Sequence, residues 1–196
     1  MRSFVFGNGT SRLNIKPEEL RRYGKIYGCN ALYREFEPDY LVAVDPKMII
    51  EIEKSGYQRT HEVWTNPNAK YRNFQGFHYF MPSLGWSSGP TALNLAAQHS
   101  ANEIYIIGFD YTGLNGYLNN VYADSFNYRK SIDTATYFGN WKRQTEQVLK
   151  NYSKTKFYRV VTPGYYDPEW NLPNFRHISF EELRKLMPTW PEKPSK

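Results

Sequence analysis

Glu103-Ile104-Tyr105-Ile106-Ile107-Gly108-Phe109-Asp110-Tyr111 is the stretch on which the fold turns. Its nearly unbroken apolar, β-favouring run reads as a strand covered on both faces, as strands are inside parallel sheets. The run passes through a glycine straight into an acid, so a polar group stands at the strand's carboxyl end. Just upstream, Ser87-Ser88-Gly89-Pro90-Thr91-Ala92-Leu93-Asn94-Leu95-Ala96-Ala97 reads as a helix. Pro90 suits its first position and Ser88 or Gly89 its cap, while Ala92, Ala96 and Ala97 are small enough to approach a sheet closely.

The same alternation extends to both sides. Residues 3–6 form a short β-like run that stops at Gly7-Asn8-Gly9-Thr10-Ser11-Arg12. Residues 17–23 read as a helix with an early proline and acids in its first turn. A second strand, residues 25–27, ends at Gly28-Cys29-Asn30. A third, residues 40–44, ends in Asp45-Pro46, where the acid suits the cap of a helix over residues 47–54. Residues 62–65 are a further strand, and residues 66–84 show no clear order. Residues 112–137, rich in Asn, Tyr, Gly and Ser, have neither a helical nor a strand period, and unstructured loops of that length inside a domain are usually functional or disordered. A helix follows over 138–152, then a last strand over 157–161. A terminal helix over 180–187 starts with Ser179 and has Glu182 three residues on, the capping-box spacing. Strand-helix alternation of this kind predicts an α/β fold with a mostly parallel sheet flanked by helices. One domain over residues 1–187 accounts for the chain, with 112–137 as a lid-like loop and 188–196 as a flexible tail.

Composition narrows the class. The 196 residues carry a net charge of +6, and 17% are aromatic, half of those tyrosine. A mean hydropathy of −0.70 with no long apolar run excludes a membrane span. The apolar start is too short for a signal peptide, and one cysteine, Cys29, excludes an internal disulfide and a cysteine-based zinc site. The expectation is a cytoplasmic protein. The positive charge suits phosphates of a nucleotide or of nucleic acid, but the basic residues are scattered, and such a balance equally describes a plain basic surface.

In open parallel sheets, ligands bind beyond the carboxyl ends of the strands. Four polar or glycine-bearing segments stand there: residues 7–12, residues 28–30, Asp45, and residues 108–111. The helix start at Ser87-Ser88-Gly89 adds backbone N–H groups suited to an anion. Each segment has an ordinary structural reading as well, as a turn, a cap or a helix start. The first glycine segment has neither the dinucleotide fingerprint nor a Walker A spacing.

Taken in order, the segments are more specific. Gly-Asn-Gly-x-Ser-Arg, Gly-Cys-Asn, Ser-Ser-Gly-x-x-Ala-x-x-x-Ala and Ile-Tyr-Ile-Ile-Gly-Phe-Asp-Tyr resemble the motif series of bacterial sialyltransferases of glycosyltransferase family 42. The same skeleton occurs in 6-hydroxymethylpterin diphosphokinase-like proteins and in short proteins of tailed phages. The phage type is the nearest in size and in the stretch from Trp141 to Leu186. The resemblance implies a Rossmann-like domain that binds a nucleotide or nucleotide-sugar, in a host cytoplasm if the chain is phage-encoded. It places Asn8, Gly9 and Ser11 on the phosphate and ribose side, and the adjacent Arg12 is a candidate phosphate ligand. It sets Asn30 on the nucleotide, Ser88 and Gly89 at the helix start, and Asp110 and Tyr111 facing the ligand. Lid tyrosines such as Tyr117, Tyr122 or Tyr128 would close over phosphate. The sialyltransferases also carry a histidine before the helix that follows the lid. Here that stretch is Tyr137-Phe138-Gly139-Asn140-Trp141, without one. His78 and Asp110 are then the candidate bases, with Asp124 and Asp133 as further carboxylates.

Three functions follow. The first is a glycosyltransferase-like transferase acting on a nucleotide-activated donor. The second is a pyrophosphoryl or nucleotidyl transferase, which needs Mg²⁺ with Asp45 or Asp110 as oxygen ligands. The third is a non-catalytic binder of nucleotide or nucleic acid.

Overall fold

The computed structural model describes residues 1–99, 101–135 and 137–187. The expected tail from residue 188 lies outside them. Eight strands form one sheet: β1 (Arg2–Phe6), β2 (Lys25–Cys29), β3 (Tyr40–Val42), β4 (Val63–Thr65), β5 (Phe77–Tyr79), β6 (Glu103–Ile107), β7 (Lys156–Val161) and β8 (Phe175–Ser179). Every pairing is parallel, in the order β5-β4-β3-β2-β1-β6-β7-β8. The helices are α1 (Pro17–Leu20), α2 (Pro46–Ser55), α3 (Ser88–Gln98), α4 (Gly139–Asn151) and α5 (Phe180–Leu186). This is the α/β, Rossmann-like architecture that the alternation predicts.

Strand side chains alternate between two cores, which is why the central strands are mostly apolar, with Ser3 of β1 and Arg159 of β7 as buried polar exceptions. Phe4, Phe6, Ile26, Tyr105 and Ile107 join Met48, Ile49 and Ile52 of α2 and Leu183 of α5 on one face. Val5, Tyr27, Ile104 and Ile106 join the alanines of α3 and Val148 and Leu149 of α4 on the other. Nearly all of α3 is buried, so its small residues serve the close approach expected of them.

Two strands lack a sequence signal for a physical reason. Both β5 and β8 are edge strands, three residues and five residues long, and each buries only one residue fully. An edge strand half-open to solvent needs no apolar run. Helix α3 starts two residues earlier than the expected first position at Pro90, with Ser87 as its cap, so Pro90 is its third residue. The capping box of Ser179 and Glu182 is formed as predicted. Asp45 caps α2 by accepting a hydrogen bond from the Lys47 N–H at 2.9 Å.

The chain builds outward from β1 to β5, then returns to β1's other side with β6. The loops after β1 and β6 therefore diverge to opposite faces and leave a crevice between them. Such a switch point is where open parallel sheets hold their ligands.

Candidate functional site

A cavity of about 370 Å³ occupies that crevice. Gly7, Asn8 and Gly9 reach it from β1, Cys29 and Asn30 from β2, Asp45 from β3, the first turn of α3 with Ser87, and residues 108–111 from β6. The register puts these ends level: Phe6 pairs with Gly28 on one side and Ile107 on the other. The Gly7 N–H then donates to the Ile107 carbonyl at 2.7 Å and the Gly9 N–H to the Gly108 carbonyl at 2.9 Å, which carries the ladder into the loop. A Cβ on Gly9 would lie on the Asp110 carboxylate and 2.7 Å from the Gly108 carbonyl oxygen, so only glycine fits.

Ser88 ties three of these ends together. Its hydroxyl donates to Asn30 Oδ1 at 2.8 Å and accepts from the Val44 N–H at 3.1 Å. Asn30 sits at φ 53°, a left-handed conformation that asparagine tolerates better than most residues. No side chain caps α3, although the first turn of this 11-residue helix lines the cavity. Its N-terminal N–H groups and dipole are thus available to an anion.

Asp110 is buried and holds three donors. One oxygen accepts from the Ser11 N–H at 3.1 Å and Asn119 Nδ2 at 2.9 Å, the other from the Ser11 hydroxyl. Three of a carboxylate's roughly four acceptor positions are therefore taken. Asn119 is itself fully bonded. Its Oδ1 accepts from the Thr10 N–H at 2.9 Å and the Thr10 hydroxyl at 2.8 Å, and its Nδ2 also donates to the Thr112 carbonyl at 3.0 Å. One buried amide thus joins the β1 loop, the β6 loop and residues 112–137.

That long segment is anchored along its middle. The Val121 N–H donates to the Asn8 carbonyl at 2.8 Å. Tyr122 donates to Glu35 at 2.6 Å and accepts from Arg12 at 2.8 Å, and Arg12 donates to Glu35 at 2.6 Å. Burial works to raise the Glu35 carboxyl pKa, but the hydrogen bonds from Arg12 and Tyr122 outweigh it and hold it below the usual range. Arg34 grips the Ser125 hydroxyl and the Phe126 carbonyl while paired with Glu51, and Asn127 donates to Glu51 at 2.7 Å. Burial first, then nothing strong enough to offset it, pushes the Tyr128 and Cys29 groups up, Cys29 to about 12, so the thiol stays protonated.

The structure brings most of the predicted residues together. Asn8, Gly9, Asn30, Ser88, Gly89, Asp110, Tyr111 and Tyr128 line the cavity, as does Asp45. Others lie elsewhere. Arg12 is no phosphate ligand here: its guanidinium is buried against Glu35 and Tyr122. Ser11 spends its hydroxyl on Asp110 rather than lining the cavity. Tyr122 is consumed in the Arg12–Glu35 cluster, and Tyr117 is exposed beyond the lining. Tyr111 reaches the cavity with its ring while its hydroxyl donates to Thr145 at 2.8 Å. His78 lies on the edge strand β5, stacked on Trp64 at 5.1 Å. Four strand spacings, roughly 19 Å, separate that strand from β1. Asp124 and Asp133 are outside the lining too.

Of the two lining carboxylates, Asp45 has the spare capacity. Its Oδ1 accepts one hydrogen bond and its Oδ2 none among the described residues. Among those residues, no group of three or more His, Cys, Asp and Glu side chains is placed to hold a metal ion. With Asp110 already occupied, Asp45 and Asp110 make a poor pair for Mg²⁺.

Sequence reading missed Asn119, Asn120, Asn127, Arg129, Tyr137 and Trp141, all of which line the cavity. The signal was there: asparagines recur through residues 112–137, and amides in a loop without secondary structure need a purpose. In all, six asparagines line the cavity, and Arg129 is the one cation among the described lining residues. No helix among the described residues is long and apolar enough to cross a membrane.

Comparison with protein-family models, curated proteins and solved structures gave no match to this chain. The likeness to family-42 glycosyltransferases rests on the motif series alone.

Proposed function

We propose that the crevice between β1 and β6 binds a nucleotide or nucleotide-sugar and that the chain is a glycosyltransferase-like transferase. The observation that carries this reading is convergence. Four polar strand ends and an uncapped helix start, separated by up to a hundred residues in sequence, line one cavity. An anionic group would sit at the start of α3, where N–H groups point outward without an added cation. The asparagine amides offer paired donors and acceptors that suit the edges of a base or the hydroxyls of a sugar. In a transfer, the acceptor hydroxyl would give its proton to Asp45, the lining carboxylate with an open oxygen.

One observation favours binding without turnover. Asp110 already holds three donors and His78 lies at the sheet edge, so both candidate bases are poorly placed for proton transfer. A thermal-shift panel separates the readings. Nucleoside mono-, di- and triphosphates and nucleotide-sugars are each tested with and without Mg²⁺. A ligand at about 100 times its Kd adds about 2.7 kcal/mol to stability. A selective shift, followed by release of free nucleotide from the bound donor, supports the transferase. A shift without release supports the binder, a shift only with Mg²⁺ supports a phosphoryl-type transferase, and no shift across the panel refutes the nucleotide site.

A further inference from the structure

We infer that the rim of the cavity, residues 114–135 and 137–143, is a docking surface for a single-stranded nucleic acid. Half of the large exposed hydrophobic side chains among the described residues fall in this short stretch: Leu114, Tyr117, Phe126, Ile132, Tyr137 and Trp141. Four of these are aromatic, with Phe126 and Tyr137 each more than three-quarters exposed. Apolar surface gathered in this way marks an interaction site, whereas scattered residues do not.

The rings are carried on a fixed base. Arg34 holds the Phe126 carbonyl, Leu118 and Asp133 are joined by a backbone hydrogen bond of 2.9 Å, and Tyr117 bridges to Thr134. Trp141 projects from the first turn of α4 with Phe138 edge-on to it at 5.3 Å. Tyr137 and Trp141 line the cavity, and Tyr117 and Phe126 stand one residue from Leu118 and Asn127, which also do. The platform therefore leads into the cavity.

Charge identifies the occupant. Arg129, Lys130, Lys142 and Arg143 stand on this stretch against Asp124 and Asp133, a net of +2. Lys142 also lies over the Tyr166 ring at 5.1 Å, which adds a fifth exposed aromatic with its own cation. Unpaired bases present flat π-faces that stack on such rings, and their phosphates meet the lysines and arginines, a pairing of features that single-strand binders share. A duplex hides its base faces and would meet only the charge. A second copy of this chain would set two positive rims against each other. The inference does not depend on what fills the cavity.

The test uses the full chain and a labelled oligothymidine of 20 nucleotides, compared with a 20-bp duplex, by fluorescence anisotropy at 50 and 200 mM salt. Single strand should bind at least tenfold tighter than duplex. The double variant Tyr117→Ala/Phe126→Ala, whose residues lie outside the cavity lining, should weaken single-strand binding tenfold or more and leave duplex binding and the melting temperature unchanged. Equal affinity for both forms with no effect of the variant would overturn the inference and leave only a basic surface. So would no binding, or a wild-type dimer in sedimentation that the variant dissociates, since a second copy would then cover the face. Mononucleotide thermal shifts on the same variant report on the cavity separately, so a failure there leaves the rim result intact.

Discussion

Replacing Asn119 should do more damage than its single buried amide suggests. Asn119→Ala removes four hydrogen bonds at once: two from Thr10, one to Asp110 and one to the Thr112 carbonyl. The Thr10 hydroxyl keeps a partner in Tyr165 at 2.9 Å, so three groups lose support. A bond to a charged group is worth about 1.5–3 kcal/mol and each neutral one about 0.5–1.5, which gives about 2.5–6 kcal/mol in all. Water entering the space left by the side chain pulls the expectation to about 3 kcal/mol in urea unfolding, a large part of a domain's typical stability of about 5–15. Hydrogen exchange should show protection lost across residues 112–135 and kept in β1 and β6. A second variant fixes the mechanism. Asn119→Asp keeps the acceptor for Thr10 but sets an oxygen where Nδ2 stood, 2.9 Å from the Asp110 carboxylate. Two carboxylates at that distance cannot both stay ionised without penalty, so the folded pair holds a proton the unfolded chain does not. Stability of Asn119→Asp should then rise as pH falls from 7 toward 5, while wild type stays flat. A loss below about 1 kcal/mol in the alanine variant, or a flat pH response in the aspartate variant, would refute the claim that this amide latches the segment.

The Glu35 and Glu51 anchors predict acid release of the same segment. Both carboxyls are held below the usual glutamate range in the fold. Their contribution is therefore complete above about pH 4.3 and lost as pH falls through the lowered folded values. Tryptic cleavage after Arg129 cannot be followed in acid, so pepsin cleavage within residues 118–129, rising below pH 4 ahead of global unfolding by circular dichroism, is the measurement. Gly9→Ala should destabilise the protein by about 1–3 kcal/mol through overpacking, read from thermal melts. Its backbone angles, φ −66° and ψ 147°, suit any residue, so the cause is the collision of a Cβ with the Asp110 carboxylate and the Gly108 carbonyl oxygen. Asp45→Asn should leave the melting temperature unchanged because asparagine caps helices equally well, whereas Asp45→Ala costs about 1 kcal/mol. Both should slow release of nucleotide from any donor the wild type turns over by about a hundredfold or more; unchanged release would remove Asp45 from the chemistry.

How much was legible in the sequence follows from where each residue sits. The central strands announce themselves because burial on both faces leaves them mostly apolar, as in residues 104–107. The edge strands β5 and β8 have one open side and lose that signature. At the site, the residues found were those next to strand ends, since a strand end is predictable from its strand. Asn8, Asn30 and Asp110 are of this kind, and Ser88 was found from the start of its helix. Asn119, Asn127 and Arg129 come from a loop whose path is set by tertiary hydrogen bonds such as those to Asp110 and Glu51. No local period records such a path. The same reason misled the assignment of Arg12, since its partner Tyr122 lies 110 residues away.

The net charge of +6 does not describe the cavity, and this separates two modes of binding. Arg12, Arg34 and Arg159 are spent inside the fold on Glu35, Glu51 and Asp167. Arg159 is wholly buried and also donates to the Phe109 carbonyl at 2.8 Å behind the cavity wall, so it supports the β6 loop and is withheld from ligand. What remains in the lining is one guanidinium, itself paired with Asp133 at 3.3 Å, against Asp45 and Asp110. A ligand there is met by amides, a hydroxyl and helix N–H groups, short-range contacts that salt screens little. At the rim, by contrast, binding would release counterions from a polyanion, and affinity would fall steeply with salt. Raising salt from 50 to 200 mM should therefore leave a mononucleotide's Kd within about twofold and weaken an oligothymidine by about tenfold or more. A mononucleotide that lost affinity as steeply as the oligomer would show that cations outside the lining hold its phosphate, and would move the site from the crevice to the rim.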